Sequence, residues 1–298
     1  MSARIQTFLY AANRDRFTPR APSESDARRM REDFELRLIE TELVEAQRRA
    51  VKAHAAQAPT DPDDFVRWFE VLVDRGPGQG DPLFGWLAHD ATLQQMRWFL
   101  AQETAGEAGF DDLVAMTQVK LPTRAKLELA RNYWDEMGRG RETGMHGPML
   151  ERMGKDMSLA EELALAPPVW ESLALANLMV ALAINRQYTY HSVGALGAIE
   201  LTAPGRAELV NVGLARLGIE AHTRQYFALH ATLDVKHSKT WNAEVLGPMV
   251  AADPRCAVAF AEGALMRLAA GEKCFERYRH ELGLDLHLGA REPLRHSA

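Results

Sequence analysis

Cysteine is scarce in this chain, which holds only Cys256 and Cys274 and no Cys-x-x-Cys pair. That excludes a disulfide-stapled scaffold and a cysteine-based zinc or dithiol centre, and a reducing, cytoplasmic setting is expected. Long apolar runs are also missing. No stretch approaches the ~18 residues that span a bilayer, and the start, MSARIQTFLYAANRDRFTPRAPSESDARR, has arginines but no signal-peptide core. The net charge of −6 comes without a basic cluster, so the electrostatic footprint of a nucleic-acid binder is lacking. Neither a membrane nor nucleic acid is expected as a partner.

Strand signals are equally sparse. Ala, Leu, Glu, Arg and Met recur, whereas β-branched alternation bounded by turn residues is nearly absent. The pattern predicts an all-α, single-domain fold with about seven or more helices. Residues 1–22 are expected as a mobile arm and 23–290 as the helical domain, with Ser23 or Ser25 capping a helix over 26–56. Further helices are predicted near 62–75, 86–115, 123–137, 142–153, 158–165, 168–203 (broken near Gln187), 205–217, 219–243 and 254–282.

What is present is a concentrated polar signal, HATLDVKH, at residues 230–237. On an ideal helix His230, Asp234 and His237 lie at 0°, about 40° and about −20°, one narrow face. Tyr226, Phe227 and Trp241 share or flank it, so the face is core-directed. Two imidazoles and a carboxylate in a core need partners, because burying them unpaired costs several kcal/mol. A hydrogen-bond network would satisfy them; so would iron, manganese or zinc.

Other ligands would be single acids or histidines interrupting apolar stripes. Glu103 is in register with Met96, Phe99, Phe110 and Leu113, with Glu107 as the alternative. Glu200 is the only charged residue in SVGALGAIELTAP, though Pro204 raises the alternative of a solvent-facing helix end. Glu136 continues the stripe of Leu129 and Tyr133, with Asp135 as its neighbour, and His146 heads the stripe of Met149, Leu150 and Met153. An ideal helix would set Glu136 and His146 about 80° apart, but Gly138, Gly140, Gly144 and Gly147 make an ideal helix there unfavourable. No Glu-x-x-His pair occurs, which disfavours a ferritin-like bundle. His191 and His222 fall off the ligand face, and surface positions suit Arg131, Arg139 and Arg141 better than a substrate carboxylate does.

These residues resemble the heme-oxygenase-like diiron oxidases and oxygenases, over roughly 90–245 of the chain. The His-x3-Asp-x2-His of that family's last core helix is matched by His230, Asp234 and His237, and its upstream glutamate by Glu200. FLAQE, ending at Glu103, matches an earlier glutamate, and His146 matches the next histidine. Members that oxygenate amine nitrogen carry a further glutamate about ten residues before that histidine, where Glu136 stands. The resemblance implies two Fe(II) ions, O2 as co-substrate, and one iron near Glu103 and His146 with the other near His230 and His237, Glu200 and Asp234 bridging or capping. It points to N-oxygenation of a small amine or amino-acid-derived substrate with Glu136 taking part, and leaves room for an external electron donor and a homodimer. Desaturation, decarboxylation or C–C cleavage is the alternative on the same fold. Outside the diiron chemistry stand a heme-degrading or cofactor-free oxidase and a non-catalytic helical binding protein.

Overall fold

The structure is a computed structural model in which residues 2–21 and 26–284 are described. Its helices are α1 (Ala3–Phe17), α2 (Asp26–Ala55), α3 (Pro62–Glu70), α4 (Leu72–Arg75), α5 (Pro82–His89), α6 (Leu93–Gly106), α7 (Phe110–Thr117) and α8 (Thr123–Glu136). They continue as α9 (His146–Asp156), α10 (Leu159–Leu165), α11 (Trp170–Ile184), α12 (Thr189–Arg216), α13 (Gln225–Trp241), α14 (Gly247–Ala252) and α15 (Cys256–Glu281). Among the described residues there is no β-strand, and no single helix is long and apolar enough to cross a membrane. The all-α expectation holds.

Local chemistry explains where helices begin. Asp61 accepts hydrogen bonds from the amides of Asp63 and Asp64 ahead of Pro62, and Asp81 accepts from Leu83 ahead of Pro82. Thr92 and Gln95 form a reciprocal capping box at the start of α6. These caps, together with Gly109 at φ +76°, divide the single helix expected over 86–115 into α5, α6 and α7. Ser23 and Ser25, the expected caps of α2, lie outside the described residues.

The arm expected at 1–22 is, over Ala3–Phe17, a docked helix instead. Leu9 packs against Leu36 and Leu43, the Asn13 side chain donates to Asn177 at 3.1 Å, and Asn177 donates to the Gln6 carbonyl at 2.9 Å. Arg16 pairs with the buried Glu40. The face that anchors α1 is Gln6, Leu9 and Asn13, largely polar, so hydrophobic periodicity does not reveal it.

α12 is the central element, flanked by α5, α13 and α15. Its crossing with α15 is close enough that a Cβ at Gly194 would lie 2.0 Å from the Phe260 carbonyl, and one at Gly263 would lie 1.9 Å from that of His191. Contrary to the expected end near residue 203, α12 runs through Pro204 to Arg216. Pro204 lacks the N–H that would bond the Glu200 carbonyl, and packing on both sides holds the helix across the missing bond.

Candidate metal centre

Four helices bring six of the seven predicted ligands together. α8 ends on Glu136 and α9 begins on His146; α12 carries Glu200 at its middle and α13 carries His230, Asp234 and His237. Ligating atoms of Glu136, His146 and His230 all lie within 4.8 Å of one another, and so do those of Glu200, Asp234 and His237. Five of the six residues are buried and His230 is half-buried.

The glycine-rich stretch is what makes the first group. Gly138 and Gly140 turn at φ +60° and +79°, and Met137 pairs with Met145 as an isolated antiparallel bridge. The chain folds back so tightly that a Cβ on Gly138 would meet the Gly144 carbonyl carbon at 2.4 Å. Glu136 Oε2 thus comes 2.6 Å from His146 Nδ1.

Hydrogen bonds aim the histidines. His230 Nδ1 is 2.7 Å from the Tyr226 carbonyl, which makes Nδ1–H the donor and leaves Nε2 free to ligate. His237 Nε2 is 3.1 Å from Asp135 Oδ2, and Asp135 is tied in turn to Arg139 at 2.5 Å. Nδ1 of His237 then faces Glu200 at 3.5 Å and Asp234 at 3.8 Å. Asn132, also buried, donates to Glu200 Oε1. Asp135, Asn132 and Tyr226 were not singled out in these roles by sequence; Asn132 sits one turn before Glu136 on its stripe, a signal that was there to read.

Two of the buried carboxylates, Glu136 and Asp234, resist ionisation. Burial, then the charge of Glu200, pushes Glu136 up to about 9 and Asp234 up to about 10. Burial pulls His146 and His230 down to about 4. Burial also opposes a charged His237, but Glu200 and Asp135 prevail and raise it to about 9. In His146 and His237 the buried Nδ1 atoms have no hydrogen-bond partner despite the nearby carboxylates. Carboxylate oxygens nevertheless stand 2.6 Å from His146 Nδ1 and 3.5 Å from His237 Nδ1, and imidazoles and carboxylates converging in this way form an N/O donor set that suits iron once their protons are displaced.

Two of the expected assignments fall outside these groupings. Glu103 belongs to neither group; it faces Tyr278, Arg206 and Arg267 along a cavity of about 180 Å³ that also reaches Glu136, Glu200, His230 and Asp234. Its register does place it on the face of α6 that lines this cavity, together with Phe99 and Leu100. His230 and His237 do not share a group: seven residues apart, they are separated by about 10 Å of helix, too far for one ion. Of the remaining candidates, His191 bonds Glu262 at 2.9 Å and His222 is exposed. Arg131 pairs with Glu128 and Arg139 with Asp135, while Arg141 is exposed.

The model of one family, described as "Iron-containing redox enzyme", matches residues 97–272, more than half the chain and every residue of both groups. The chain belongs to the iron-containing redox enzyme family. This agrees with the resemblance to heme-oxygenase-like proteins, and the two groups supply an iron-containing redox enzyme with the side chains its metal needs. No curated protein matches the chain.

Proposed function

We propose that this iron-containing redox enzyme is a non-heme diiron oxygenase that uses O2 to oxidise the nitrogen of a small amine or amino-acid-derived substrate. The observation that carries the reading is Glu136 turned back onto His146 by the glycine loop, so that six side chains form two adjoining N/O groups. Glu136, His146 and His230 would hold one Fe(II), and Glu200, Asp234 and His237 the other. When bound, such a pair supplies the electrons that reduce O2 without an organic cofactor.

The chain's own residues prepare that chemistry. Asp135 and the Tyr226 carbonyl fix which ring nitrogen of His237 and His230 faces the centre, and Asn132 holds one oxygen of Glu200 so that the other remains free. Phe99, Leu100, Leu175, Met179 and Phe227 exclude water from the cavity beside them. Glu136 adds a third carboxylate to the centre, at the position where family members that oxygenate amine nitrogen carry a further glutamate.

The apolar walls favour a second reading, oxidation or cleavage at carbon in an aliphatic substrate. Product analysis separates the two: the Fe(II)-loaded protein and O2 are given a panel of aliphatic amines, and hydroxylamine, nitroso or nitro products are sought by mass spectrometry. N-oxygenated products that Glu136→Ala abolishes support the first reading. Alkenes or shortened chains with intact nitrogen overturn it in favour of the second.

A further inference from the structure

The cavity that reaches the metal groups carries another charged cluster, Glu103, Arg206 and Arg267, which takes no part in them. One face of α12 runs along it: Ile199, Glu200, Ala203, Arg206, Ala207 and Val210 all line the space, within about 120° on a helical wheel. Arg206 stands six residues beyond Glu200, about 9 Å further along the helix. The metal groups and the arginines are two stations of one cavity.

Arg206 is held in place by protein contacts. Its Nη2 donates to Thr202 Oγ1 at 3.1 Å, and its guanidinium carbon lies 5.8 Å and 5.5 Å from the ring centres of Phe84 and Phe275. Arg267 enters from α15, with its Nε buried and lacking a hydrogen-bond partner. Among the described residues neither guanidinium is held in an ion pair with a carboxylate.

The nearby acids do not neutralise both. Burial pushes Glu103 up while Tyr278, Arg267 and Arg206 pull it back, so it faces both cations. Glu107 also acts on Arg267, but its carboxylate is engaged by the Gly109 amide at 3.0 Å and its charge acts on Glu136 too. Burial, then the charge of Arg267, lowers Arg206 to about 9, as two cations crowded into an apolar wall require. Two guanidiniums facing one adjacent carboxylate leave a positive charge turned toward an apolar space. Unpaired, such a charge is costly; a carboxylate offers guanidinium two parallel hydrogen bonds.

We propose that Arg206 and Arg267 form a carboxylate-binding subsite, so that the substrate is an organic acid held there while its reacting group lies about 9 Å away, at the metal end. The inference rests on the oxygenase reading of the same cavity. It commits the substrate class to carboxylic acids and makes the arginine-to-metal separation the gauge of chain length.

The test is calorimetric binding to the full-length Fe(II)-loaded protein without O2, using hexanoate, its ω-amino derivative and hexylamine as probes of one length. Both acids are expected to bind at least about tenfold more tightly than hexylamine, and Arg206→Met and Arg267→Met each to remove that preference. Arg267→Lys, which keeps the charge, is expected to restore part of it. Acids that bind no better than hexylamine, or an acid preference unchanged in both Met variants, overturn the subsite. Ferrous titration of the same samples separates the two proposals. Iron uptake with no acid preference overturns the subsite alone; acid preference without iron uptake overturns the diiron reading alone.

Discussion

Glu136 and His146 are ten residues apart in sequence, yet Oε2 of the first lies 2.6 Å from Nδ1 of the second. Neither helix brings them together. The connection does, through two left-handed glycines and the Met137–Met145 bridge, and both residues sit at the ends of their helices where the loop's shape fixes them.

Replacing Gly138 should therefore damage the centre from outside it. A Cβ there meets backbone atoms of Gly144 and Met145 at 2.4 Å and 2.6 Å, and the residue holds φ +60°. Gly138→Ala is expected to cost about 1–3 kcal/mol in denaturant unfolding and to lower iron content. Wild-type stability and full iron content would mean that the loop does not set the ligand geometry.

Asp135 touches no proposed ion, but it orients His237. Asp135→Asn is expected to weaken metal binding about 10–100-fold in a competition titration, while Arg131→Ala, on the exposed side of the same helix, leaves it unchanged. Equal affinity in the two variants would remove Asp135 from the account.

Metal binding and stability should respond to pH in opposite directions. Glu136, Asp234 and His237 have folded values raised to about 9, about 10 and about 9, so between pH 6.5 and 9 the metal-free fold binds more protons than the unfolded chain. Its stability is expected to fall as pH rises through that window. His146 and His230, lowered to about 4, act in the other direction only below about pH 6.5. Metal must displace the same protons, so affinity is expected to rise with pH, with proton release on Fe(II) or Co(II) addition in weakly buffered solution. Affinity that is flat or falls from pH 6.5 to 9 contradicts the buried acid cluster.

Glu103→Gln distinguishes register from position. Glu103 lines the cavity but lies outside both groups, so iron stoichiometry should be unchanged by this substitution. A loss of one iron per chain would restore it as a ligand.

Much of the centre was legible because helices carry their own ruler. Asp234 and His237, one turn apart on an aromatic stripe, end up in one group as the wheel implies. Glu200 was legible as an isolated charge in an apolar run. What the wheel does not give is the partner chosen across helices: His230 meets His146 in a T-shaped contact at 4.6 Å because α9 starts beside α13, a fact of tertiary packing. Residues that act through others, such as Asn132 and Asp135, look in sequence like ordinary helix polarity. α1 was missed for a related reason, since side-chain amides and an ion pair hold it more than an apolar stripe does.

In the proposed function the two groups form one dinuclear iron centre. Anaerobic ferrous titration of the wild-type chain, read by Mössbauer spectroscopy, tests it most directly. Two high-spin ferrous ions per chain are expected, with His146→Ala and His237→Ala each retaining no more than one. A single iron, a heme-type signal, or two irons undisturbed by either substitution would contradict it.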